Sequence, residues 1–96
     1  MTARTKKKEH IIILGGGAAG LNAARELATN CNVTILEAQG SLGGRINTII
    51  PENLNHPIEA GAEFMHGQLP LTSKLIREAG VKSIPLEGKM FNVTSG

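Results

Sequence analysis

Residues 11–20 read IIILGGGAAG, and three lysines, Lys6 to Lys8, stand just ahead of them. Two readings of this stretch compete. A basic run followed by apolar and small residues can open a secretory signal. The same letters can be a buried strand that runs into a phosphate-cradling loop. Only Ile11 to Leu14 are large and apolar before three glycines intervene. A signal needs an apolar region of roughly 7–15 residues, and a spanning helix needs about 20. Between Ile11 and Leu21, six positions are Gly or Ala. The strand-and-loop reading is therefore preferred.

Working outward, HIIILG reads as a fully buried, β-branched strand bounded by glycine. Such a strand suits a parallel sheet covered on both faces. AAGLNAARELATN, residues 18–30, reads as a helix. Leu21, Ala24, Leu27 and Ala28 share one stripe at spacings of three and four. Asn30 is expected to end it, since Asn tolerates the left-handed conformation. CNVTILE, residues 31–37, is a second strand. Strand, helix and strand within about 30 residues make a βαβ unit, and such crossovers are right-handed in nearly all cases. The expected class is α/β: a Rossmann-like unit within an incomplete doubly wound parallel sheet.

Gly15, Gly17 and Gly20 spell G-x-G-x-x-G. Gly15 allows a tight turn out of the strand, Gly17 lets backbone amides approach a pyrophosphate, and Gly20 lets the helix press on the sheet. With Ala18 and Ala19 they open the helix, whose first amides and positive dipole end favour an anion. Alone the pattern is weak, because three glycines in a chain with 12 arise by chance. Its context is specific. The second strand ends on an acid, Glu37, 22 positions after Gly15. A carboxylate at that spacing accepts hydrogen bonds from ribose hydroxyls and repels a 2′-phosphate. A dinucleotide site follows, with Ala38 beside the acid, and NADP is disfavoured.

After Glu37 the chain turns to glycine and polar residues. AQGSLGGRINT is expected to be a loop or a short irregular helix. Gly43 and Gly44 would let backbone approach a ligand, and Arg45 would place a planar cationic fork on a phosphate. INTII is a brief strand ending at Pro51, and PENLNHP a turn region. IEAGAEFMHG looks partly buried. LTSKLIREAG is a helix with Leu71, Leu75 and Ile76 on one face and Gly80 as its stop. VKSIPLEGKMFNV is expected to give one or two short strands around EGK.

Composition excludes several classes. Phe64 and Phe91 are the only aromatic residues, which argues against a stacking surface for single-stranded nucleic acid. The net charge is +2, with much of the basic excess in Arg4 and Lys6 to Lys8. Residues 1–9 are read as a solvated basic tail rather than a nucleic-acid arm. Cys31 is the sole cysteine, so no internal disulfide forms and no cysteine metal cluster exists. His10, His56 and His66 lack metal-ligand spacing. A reducing, cytoplasmic location is expected.

The motifs GGGAAGLNAARELA, VTILEA and LGGRINT, followed by IEAGAEFMHG, resemble the opening of the flavin-containing amine oxidase family in order and spacing. His10 to Gly67 carry the resemblance; residues beyond fit loosely. It implies FAD, bound covalently or not, with its ADP half on the glycine loop and Glu37. It implies Arg45 at the pyrophosphate, and Gly61 and Ala62 on the path to the flavin ring. His66 matches a histidine that sits by the active site in polyamine-oxidase-like members. The plainer alternative is a structural histidine. Many members carry a second arginine where this chain has Ser41, so one anchor is missing or replaced.

The family removes hydride from the carbon beside an amine, and O2 reoxidises the flavin to give H2O2. Carotenoid desaturases, protoporphyrinogen oxidases and amino-acid oxidases share the opening motifs. Residues 10–96 are then expected to be the N-terminal part of an FAD-binding domain, without the substrate domain and inactive alone. A non-catalytic nucleotide-binding module that completes a partner chain is the competing expectation. The expected partners are FAD and, in the full-length protein, a small amine, with no nucleic acid and no membrane segment in this chain.

Overall fold

The computed structural model describes residues 6–94; Arg4, counted above in the basic tail, lies outside them. The chain divides into two compact units, Met1–Phe64 and Met65–Gly96.

In the first unit, β1 (His10–Leu14), α1 (Ala18–Leu27) and β2 (Asn32–Leu36) follow one another as the apolar pattern requires. β1 and β2 pair in parallel, with Ile11 opposite Val33, Ile13 opposite Ile35 and Leu14 opposite Leu36. Backbone bonds extend the ladder at both ends, from Asn32 N–H to the Glu9 carbonyl and from Gly15 N–H to the Leu36 carbonyl, each 2.8 Å. A parallel pair needs a crossover, and α1 supplies it.

Burial in the sheet is one-sided, which corrects the expectation of a fully buried strand. Alternate residues of a strand face opposite ways. Ile11, Ile13, Val33 and Ile35 are half-buried, and the space beside Gly20 of α1 is bounded by Ile13. On the other face Ile12 is 60% exposed, Leu14 81% and Leu36 52%. Among the described residues no hydrophobic side chain is fully buried. Covering a large aliphatic side chain stabilises by roughly 1.5–3 kcal/mol, so this face leaves several kcal/mol unrealised.

The end of α1 also differs from expectation. The helix stops at Leu27, and no residue other than glycine has positive φ among the described residues. Asn30 is therefore not a left-handed cap. The amides of Asn30 and Cys31 both turn back onto the Leu27 carbonyl, at 3.1 and 2.9 Å, and close the helix instead.

After β2, residues 37–47 form an irregular loop rather than a helix. β3 (Thr48–Ile49) and β4 (Ile58–Glu59) form a short antiparallel pair across the Pro51–Pro57 turn region. The IEAGAEFMHG segment is exposed throughout, not partly buried. Two-residue strands present too little surface to bury one another.

The second unit holds α2 (Pro70–Glu78). Proline opens it, where its missing N–H costs nothing, and Gly80 follows its end at φ +69°. Val81–Thr94 form no helix or strand, which corrects the expected strands around EGK. A strand needs a neighbour for its amides and carbonyls, and none pairs with this segment among the described residues.

Candidate functional site

The site lies at the carboxyl ends of β1 and β2, where ligands of parallel α/β sheets bind. β1 leads into the glycine loop through Gly15, whose φ of +98° makes the turn. Gly17 precedes α1 in extended conformation, and no side chain caps the helix. The first amides of a helix have no carbonyl one turn back. Leu21 is the first to find one, on Gly17, at 2.9 Å. Ala18, Ala19 and Gly20 thus present a positive helix end without side chains that would block an anion. Gly20 meets a steric requirement as well. A Cβ there would overlap the Gly15 carbonyl oxygen, so any other residue would push the helix from the loop.

Glu37 follows β2 directly, and its carboxylate reaches back to the glycine loop. One oxygen accepts from the Gly16 N–H at 2.5 Å, the other from the Gln39 N–H at 3.0 Å. The backbone amides of Gln39 and Gly16, with a lesser contribution from Ala38, hold its pKa below the ordinary carboxylate value, against an opposing effect of burial. Glu37 is therefore an anion at neutral pH. Beside it, an open depression of about 420 Å³ is lined by Leu14, Gly15, Leu36, Glu37 and Ala38. A depression of equal volume at the other strand ends is lined by Lys6, Lys7, Lys8, Glu9, Asn30 and Cys31. No glycine loop or helix start borders that one.

The Gly-Gly-Arg segment is joined to the glycine loop through backbone alone. Gly43 N–H donates to the Gly16 carbonyl at 2.8 Å, and Gly17 and Gly43 form a parallel bridge. A Cβ on Gly44 would stand 3.3 Å from the Gly17 Cα, so glycines meet glycines here. The chain of bonds continues. Ala62 N–H donates to the Arg45 carbonyl at 2.9 Å, and Ala60 N–H to the Asn47 carbonyl at 2.8 Å. Thr48 on β3 donates its hydroxyl to the Glu59 carboxylate on β4, 2.8 Å from each oxygen. A Cβ on Gly61 would overlap the Arg45 carbonyl oxygen, which explains the small residue in EAGAE.

The first unit holds Gly15, Gly17, Ala18, Ala19, Gly20, Glu37, Ala38, Gly43, Gly44, Arg45, Gly61 and Ala62; the glycine loop meets Glu37, Gly43 and Gly44 directly, and Gly61 and Ala62 meet the backbone of Arg45. His66 falls in the second unit, in the irregular segment ahead of α2. One participant is not singled out by the sequence. Gly16 occupies a variable position of G-x-G-x-x-G, yet it joins the acid to the second loop. Its only signal is the run of three consecutive glycines. Among the described residues no group of histidine, cysteine and acidic side chains could hold a metal ion. No helix there is long and apolar enough to cross a membrane.

A family model for flavin-containing amine oxidoreductase matches residues 18–95, from the start of α1 onward. The chain belongs to this family. FAD is the cofactor of these flavin-containing amine oxidoreductases. Among curated relatives, probable polyamine oxidase 5 of Arabidopsis thaliana is 45% identical over 65 residues, covering 64% of this chain and 12% of that protein. The L-amino-acid oxidase of Notechis scutatus scutatus is 35% identical over 79 residues, 81% of this chain and 15% of that protein. Probable flavin-containing monoamine oxidase A of Dictyostelium discoideum is 37% identical over 82 residues, 82% and 18% respectively. The chain therefore spans less than a fifth of each of these relatives. No solved structure matches it.

The site's residues fit FAD. The helix start and the side-chain-free loops suit a pyrophosphate, and the carboxylate of Glu37 suits ribose hydroxyls.

Proposed function

We propose that this chain supplies the ADP-binding portion of an FAD-dependent amine oxidase, with a Rossmann-like βαβ unit as its framework. Residues 1–9 are its basic tail, and residues 10–96 belong to the FAD-binding domain. The observation that carries this reading is the joining of Glu37 and the Gly-Gly-Arg loop to one glycine, Gly16, beside an uncapped helix start.

Each residue has a physical role. Ala18, Ala19 and Gly20 offer amides to the pyrophosphate. Glu37 accepts from the ribose and, as an anion, disfavours a 2′-phosphate. Arg45 offsets phosphate charge, and a charge-assisted bond of this kind contributes about 1.5–3 kcal/mol. Gly61 and Ala62, held on the Arg45 backbone, border the way toward the flavin ring. The bound flavin supplies hydride acceptance from the carbon beside the amine, and the protein positions it.

The substrate assigned is a small amine or polyamine, since relatives named polyamine oxidase match the chain. An L-amino acid is the second reading, favoured by the L-amino-acid oxidases that match 81% of it. The chain by itself is expected to hold FAD without turning over amines.

The test is to purify the chain with FAD and assay peroxide with spermine, a monoamine and an L-amino acid. Bound yellow flavin without peroxide is expected. A chain that stays colourless in excess FAD contradicts the cofactor assignment. Peroxide from this chain alone contradicts its dependence on further polypeptide.

A further inference from the structure

The structure assigns Glu37 a second role, that of positioning the glycine loop before any nucleotide arrives. Gly15, Gly16 and Gly17 are consecutive, and glycine loses more backbone freedom on ordering than any other residue. Fixing each residue costs about 1–2 kcal/mol, so a triple-glycine loop needs outside support to stand in one shape.

Gly16 is held at both ends. Its N–H donates to Glu37 at 2.5 Å, and its carbonyl accepts from Gly43 at 2.8 Å. It is also buried, and a Cβ at this position would run into the Leu42 side chain, crowd that of Glu37 and touch that of Ile35. The other Glu37 oxygen is fixed on Gln39, so the carboxylate itself is oriented. Order at Glu37 therefore passes through Gly16 to Gly43 and the Gly-Gly-Arg loop. Ordering ahead of binding removes a cost from the binding step. This rests on reading the glycine loop as the nucleotide site, but it describes the ligand-free chain and is judged without ligand.

The experiment is amide hydrogen exchange of the ligand-free chain by NMR, comparing the native sequence with Glu37→Gln. A glutamine side chain has one carbonyl oxygen and can satisfy only one of the two amides. Protection at Gly43 is expressed relative to Ala28, whose amide bonds to Ala24 in α1 at 2.9 Å, so general loosening cancels. About a tenfold loss at Gly43 is expected, the equivalent of one charged hydrogen bond. An unchanged ratio overturns the proposal.

Should the variant unfold, the native chain still decides. The Gly16 amide shift and the Glu37 carboxyl carbon must titrate with one midpoint, and a Gly16 shift that does not follow Glu37 overturns the proposal. ADP titrated into the native chain judges the nucleotide reading separately. Loss of protection at Gly43 in a chain that does not bind ADP would uphold the positioning role and contradict the nucleotide site.

Discussion

Residues 10–62 and residues 81–94 make opposite use of similar raw material. Both are rich in large aliphatic side chains and glycine or proline punctuation. The first stretch satisfies its backbone within itself, through the parallel ladder, the Gly16–Gly43 junction and the β3–β4 pair. The second forms no element, and Met90 and Val93 are each 95% exposed. Apolar content therefore does not decide which stretch takes shape. Local partners for amides and carbonyls do. Even the first stretch relies on hydrogen bonding more than on a core, since its outer sheet face stays open.

The sharpest way to break this contrast is at the acid. Glu37→Arg replaces an acceptor of two amides with a cation that has no acceptor. We expect nucleotide affinity to fall at least about a hundredfold, the loss of roughly two charged hydrogen bonds. Titration with ADP checks it. Next in size is Gly20→Val, whose Cβ would overlap the Gly15 carbonyl. It should weaken ADP binding more than about tenfold, in line with a strained loop costing about 1–3 kcal/mol. Exchange at Leu21 reports whether the helix start has moved.

Arg45→Gln probes charge rather than shape. Its side chain can go while its carbonyl still accepts from Ala62, so the fold should hold. FAD affinity should fall about tenfold and become less salt-sensitive. The smallest effect belongs to the contrasting stretch. Val93→Ser should leave the stability of this chain within about 0.5 kcal/mol, as for exposed positions generally. A loss of thermal stability there would show that residues 81–94 pack after all.

pH gives a further test of the first stretch. The folded carboxyl of Glu37 lies below its ordinary value of 4.5. A group depressed on folding contributes stability above its unfolded value, lost as pH falls through the folded one. The glycine loop should stay protected from neutral pH down to about 4.5 and open below it. Opening well above that range, already at mildly acidic pH and followed by exchange at Gly16, would contradict the assignment to Glu37.

Much of this is legible in the letters. The β-branched run, the Leu21–Leu27 stripe and the placement of Glu37 point to β1, α1, β2 and the acid. They do so because those signals are local and periodic. The Gly-Gly-Arg loop reads as a ligand approach, but its junction with Gly16 does not show, since backbone-to-backbone docking leaves no side-chain pattern. Asn30 misleads because a turn onto one carbonyl needs no left-handed residue. VKSIPLEGKMFNV misleads because β-propensity records a fit to neighbours, and none pairs with it among the described residues. IEAGAEFMHG carries small residues for close approach to Arg45, not for burial.

The role proposed for Glu37 and the glycine loop is to hold the ADP half of FAD. Its most direct measurement is calorimetric titration of ADP into the native chain and into Glu37→Arg, side by side. One ADP bound per native chain is expected, with no measurable heat from the variant. Equal binding by both, or none by either, would contradict it.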